Sequence, residues 1–173
     1  MAISFYDSTI PGFVQCLGAM ELCLAKGRTF CLENGIDLDA VVETRLISDM
    51  APFRFQVAQI AHHTSGAIAG VRKGVFSPDP VTLTADYGDL QKIIAEASAV
   101  MVALTREEVD GFEGKDVLFE HSDLRLPFTA ETFLLSFSTP NLYFHATTAY
   151  DILRMKGVPL GKLDFLGHLR LKA

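Results

Sequence analysis

The 173-residue chain has no tryptophan and only three cysteines. Lys plus Arg number 15 against 21 Asp plus Glu, a formal net charge of −6, and the isoelectric point is near 5.3. This acidic balance excludes a nucleic-acid surface, which requires clustered Lys and Arg. There is no Gly-rich phosphate loop, G-x-S-x-G elbow, C-x-x-C pair or H-E-x-x-H helix, so the chemistries tied to those patterns have no signature here. A lipid-spanning run is missing too. The longest stretch without Asp, Glu, Lys or Arg, residues 132–150, holds Ser136, Ser138, Thr139, Pro140, Asn141 and His145. That is too much polarity for the roughly 20 apolar residues of a membrane helix. The opening MAISFYDSTIPGF carries an acidic residue and no basic flank, unlike a secretory signal. These absences leave one domain over residues 1–173, expected to be cytoplasmic, with neither nucleic acid nor membrane as partner.

What the chain has in abundance is apolar surface: 49% hydrophobic residues and 13 Phe, with mean hydropathy +0.26. Most of it falls at helical spacing. In the first segment Phe13, Leu17, Met20, Leu24 and Cys31 share a stripe. Ser8 or Thr9 is the expected N-cap, Pro11 suits the first turn, and Asn34-Gly35 closes the helix. Cys16, Cys23 and Cys31 all lie within it, roughly 10 Å or more apart, too far for disulfides. Residues 37–50 read as a short helical connector. A second long helix runs from near Pro52 to between Gly70 and Gly74, with Phe53, Val57, Ile60, Thr64, Ile68 and Val71 inward. VFSPDPVTLT is a loop, because prolines two residues apart cannot sit inside a helix. A third helix spans about 84–104 on a stripe of Tyr87, Leu90, Ile94, Ala97, Met101 and Leu104.

The period then changes. Val117-Leu118-Phe119 and Leu124-Arg125-Leu126 flank His121-Ser122-Asp123, a small hairpin. Thr129 caps a fourth helix to about residue 155, interrupted at Pro140, and an apolar tail follows. Four long amphipathic helices in one small domain predict an all-α four-helix bundle with a small β-hairpin before the last long helix.

Polar residues facing the inside of a bundle are the candidates for function. Counting ~100° per residue from Phe53, the second-helix core stripe centres near ~20°, with His62 at ~180°, His63 at ~280° and Gln56 at ~300°. His62 therefore reads as a surface residue, whereas His63 and Gln56 share a flank that reaches the space between helices. On the fourth helix His145 shares a face with Asn141 and Thr148, and a buried imidazole requires a partner. That partner is a hydrogen bond to Asn141 or Thr148, a bridging water, or a metal. Asn141 and His145 stand at i, i+4, the spacing at which two ligands meet a third from a facing helix. A structural polar cluster is the competing reading. His121 and His168 read as surface residues. The pairs Glu107-Glu108 and Asp37/Asp39 suit helix starts, and Arg45, Asp49 and Arg54 read as a salt-bridged cap rather than a ligand clamp.

The blocks SFYDSTIPGFVQCL, DMAPFRFQVAQIAHHTSGAIAG and PNLYFHATTAYDILRMKGVPLGKLDFLG, in that order, resemble a bacterial family catalogued as domain of unknown function 1993, within the DinB/YfiT-like helical-bundle superfamily. The resemblance spans almost the whole chain. It implies an up-down-down-up bundle with a long crossover at VFSPDPVTLT. Members with a metal take one His from the second helix and an H-x-x-x-H or E-x-x-x-H pair from a later one. Here those positions become His63 and Asn141-x-x-x-His145, with Asn where the pattern has His or Glu; read from His145, the second position is Ala149, which cannot ligate.

Two functions follow. The preferred one is a non-catalytic bundle that binds a small molecule or a partner in a pocket of Gln56, His63, Asn141, His145 and Thr148. The alternative is an enzyme dependent on a divalent metal (Zn, Ni or Fe), with His63, His145 and Asn141 as ligands and a small organic or thiol substrate. A homodimer is the expected assembly.

Overall fold

A computed structural model describes residues 3–78 and 85–172. Helix α1 (Phe5–Glu33) begins earlier than its apolar stripe suggests, because Ser4 accepts a hydrogen bond from the Asp7 N–H at 3.2 Å. The cap is held from outside: Arg106 donates to both Ser4 and Asp7 at 2.7 Å, and the Tyr6 N–H reaches the Asp110 carboxylate at 2.8 Å. These long-range contacts lie outside any local sequence pattern, and they place Pro11 inside α1 instead of in its first turn. Gly35, at φ +64, ends the helix as expected. All five stripe residues are buried, and the three cysteines are free and buried.

The connector shrinks to α2 (Leu38–Val42), capped by Asp37. The second long helix is a continuous rod of three parts. These are α3 (Phe53–Ala61), a π-helical turn π1 (His62–Gly66) and α4 (Ala67–Lys73), with helical backbone angles at both junctions. Its six predicted core residues are all buried. Gly74 then leaves the helix at φ +75. Val75 and Phe76, expected in a loop, form strand β1 (Val75–Phe76). Pro80 and the predicted helix start at Thr84 lie outside the described residues. Helix α5 (Tyr87–Ala103) is fixed by a reciprocal cap between Asp86 and Asp89, and its predicted stripe is buried throughout.

After α6 (Arg106–Asp110), the hairpin expectation holds in β2 (Asp116–His121) and β3 (Leu124–Thr129). Parallel pairing of β1 with β2 extends it to three strands. Thr129 caps α7 (Ala130–Thr132), which continues through a second π-helical turn, π2 (Phe133–Ser138), into α8 (Thr139–Met155). The interruption expected at Pro140 does not occur. Proline lacks an N–H and crowds the carbonyl four residues back. Here the wider π turn precedes it, the Thr139 hydroxyl donates to the Leu134 carbonyl at 2.7 Å, and the Asn141 amide donates to that of Phe137 at 2.8 Å. Helix α9 (Lys162–Leu166) closes the fold.

Helix α3 packs on α8 and α5, and α1 on α5 and α8. Gly27 permits the tightest of these approaches. A Cβ there would stand 2.5 Å from the Tyr87 hydroxyl, which donates to the Leu24 carbonyl at 3.0 Å and so ties α5 to α1. By length and apolarity α1 could cross a membrane, but half of its most apolar window is buried inside the protein.

Candidate functional site

The two π turns meet at one place. His62 and His63 come from π1, Phe133, Phe137 and Ser138 from π2, and Phe76 from β1 lies among them. A π turn holds more residues per turn than an α-helix, which is why such turns re-aim side chains and recur at functional sites. The His63 ring stands 5.7 Å from those of Phe76 and Phe137 and runs nearly parallel to His145, 5.8 Å away. Phe55 and Phe144 present themselves edge-on to His145.

His145 is anchored by Gln56. Its Nδ1 lies 2.8 Å from Gln56 Oε1, and the Gln56 amide nitrogen donates to the Ala51 carbonyl at 2.9 Å. With that nitrogen committed as a donor, the amide oxygen must accept. The His145 proton therefore sits on Nδ1, and Nε2 carries the free lone pair. The second-helix flank thus supplies the partner that His145 requires. Asn141 and Thr148 do not, because each spends its side chain on its own helix, donating to the Phe137 and Phe144 carbonyls at 2.8 Å. On a helix the carbonyl four residues back lies closer than a ring one turn away. His63 Nδ1 and Ser138 Oγ are buried without a hydrogen-bond partner among the described residues.

Both imidazoles are held neutral. Burial, then the charges of His62 and His145, lowers the His63 pKa to about 3, and burial, then His62, lowers that of His145 to about 4. His62 differs from expectation. It packs on Phe76 with ring centroids 4.4 Å apart, and its side chain is half-buried. A helical wheel gives its direction correctly but carries no information that β1 lies there. His121 and His168 are exposed as expected. Arg54 pairs with Glu43 at 2.6 Å rather than with Asp49, and Arg45 donates to the Met50 carbonyl, so this region is a cap. Phe76 and Phe137 were missed as walls of the site. Phe76 falls in a Pro-rich loop with no period, and the wheel of the fourth helix cannot be carried back through Pro140.

The donors His63, His145 and Asn141 do not fit a three-ligand divalent site. In-plane lone pairs of nearly parallel rings run alongside one another instead of converging, and the Asn141 amide is turned to its own backbone. Among the described residues no three His, Cys, Asp or Glu side chains are placed to hold a metal ion. The metal-binding expectation is corrected accordingly.

Replacing Gln56 with Leu is expected to lower stability by about 1–3 kcal/mol, the cost of an unpaired buried donor. It should also mix the His145 tautomers. Chemical denaturation and imidazole ¹⁵N shifts check both; an unchanged tautomer would show that Gln56 does not set it.

Helices packed around an inward polar pair, with a short sheet at one side, define a DinB-like protein. A crystal structure described as a DinB family member protein from Shewanella denitrificans matches with TM-score 0.79 and 26% identity, over 97% of this chain and 94% of that one. Residues 5–166 match the family described as Domain of unknown function (DUF1993), and the chain belongs to that family. No curated protein matches it.

Proposed function

We propose that this protein is a non-catalytic binder of a small neutral ligand, held between the helices by His145 and His63. The helices follow the up-down-down-up four-helix-bundle arrangement of the superfamily, in a reducing, cytoplasmic setting that suits three free thiols. One observation carries the reading: a locked His145 tautomer stands beside a buried, unpartnered His63 Nδ1, inside a wall of phenylalanines. An unpartnered buried polar atom costs about 1–3 kcal/mol, and a ligand that bonds to it recovers that cost. Neutral imidazoles neither attract an anion nor repel a cation, and Phe55, Phe76, Phe137 and Phe144 favour an apolar or aromatic body. Gln56 orients the acceptor, while Asn141 and Thr148 keep α8 intact around it.

Phenol is a suitable probe, with an aromatic body and one hydroxyl donor. Titration is expected to shift the ¹⁵N resonances of His145 and His63 and to raise the melting temperature. Both responses should vanish in a His63→Phe/His145→Phe double variant. Responses that persist in that variant would place binding elsewhere. Stoichiometric divalent metal in protein purified without chelator, lost in His63→Ala, would instead establish the metal-dependent enzyme.

A further inference from the structure

Away from the histidines, α1 and α5 enclose a groove of about 640 Å³, edged by the C-terminal segment. Its walls are Val14, Leu22, Met101 and Val102, and Leu22 and Val102 remain 57% and 69% exposed. Gly18 belongs to the same groove. A Cβ added there would meet nothing within 4 Å, in contrast to Gly27, and Gly18 is not among the glycines with positive φ. Glycine in a helix interior costs about 1 kcal/mol relative to alanine. At position 18 neither packing nor backbone conformation inside the chain accounts for that cost. Keeping the groove clear does.

The ends of the groove differ in charge. The Gln15 amide donates to the Leu166 carbonyl at 2.8 Å, and Gly167 lies against Ala19, fixing the tail on α1. His168 and Arg170 follow as lining residues. Arg170 is close enough to act electrostatically on Tyr143. The Tyr143 hydroxyl lies 3.6 Å from the Cβ position of Gly12, so the guanidinium belongs to the Gly12 end. Among the described residues no ion pair includes Arg170. Glu21, the acidic residue of the lining, is nine positions along α1 from Gly12, roughly 13 Å away at the helical rise.

We infer that this groove binds an amphiphilic monocarboxylate, with its carboxylate on Arg170 and its apolar chain over Gly18. Its volume lies in the range of small-molecule sites, a planar guanidinium matches a carboxylate, and Glu21 disfavours a second anionic group at the far end. Decanoate, decanol and decanedioate are the probes. Calorimetric titration of the full chain is expected to show decanoate binding, with decanedioate at least about tenfold weaker. Arg170→Gln should weaken decanoate about tenfold or more while leaving decanol unchanged. Gly18→Leu, which places a strong helix former in open space, should melt no lower than the parent and bind neither. No decanoate binding at concentrations up to about 1 mM, or equal binding by Gly18→Leu, would overturn the inference. So would sedimentation showing a dimer that Gly18→Leu dissociates, because a second copy would then occupy the groove.

Discussion

Acidification from pH 6.5 to 4.5 is expected to remove up to roughly 5 kcal/mol of stability, at ~1.4 kcal/mol per pH unit for each of two histidines. His63 and His145 have folded pKa values depressed to about 3 and about 4, from 6.5. In that interval the unfolded chain takes up protons that the folded chain refuses. The histidine contribution is thus complete above pH 6.5 and is lost as pH falls toward the folded values. The carboxylates with lowered pKa, such as Asp7, Glu43 and Asp164, start from 3.8 or 4.5, so their titration falls mainly below this interval. Small domains have about 5–15 kcal/mol in total, so the loss is a large share. Urea midpoints at several pH values measure it, and His63→Phe should flatten the dependence by about half. Equal midpoints at both ends of the interval would mean that the rings are hydrated and titrate normally.

Phe76→Ala is expected to cost about 3–5 kcal/mol, the range for deleting a buried phenylalanine ring. Phe76 is 4% exposed, and its ring lies 4.4 Å from His62, 5.0 Å from Phe133, and 5.7 Å from His63. It joins the short sheet to both π turns. The truncation should also admit water to His63, raising its pKa from about 3 toward the ordinary 6.5. Denaturation and histidine NMR titration separate the two effects. A loss below about 1 kcal/mol would show that the neighbouring rings collapse into the space.

The helices and the hairpin were legible because burial imposes a period on sequence. Every stripe residue from Phe53 to Val71 and from Tyr87 to Leu104 is buried. The site was legible in part. Gln56 and His63 were placed on one flank and His145 was known to need a partner, but the bond between Gln56 and His145 spans 89 residues, and spacing along one helix carries no information about such pairs. The same limit hid Ser4 as the true cap, since Arg106 secures it from far along the chain. Strand β1 was illegible for another reason: two residues are too few to show alternation, and its partner lies in β2.

The paired π turns give the length of the chain an unusual part in this molecule. A π turn arises when one residue is inserted into an α-helix without breaking it. Deleting a residue between 62 and 66, or between 133 and 138, would therefore leave a sound helix yet swing all that follows by about 100°. Within these ten or so positions a one-codon indel can act as a rotary switch, exchanging the side chains offered to the interior while their identities stay the same.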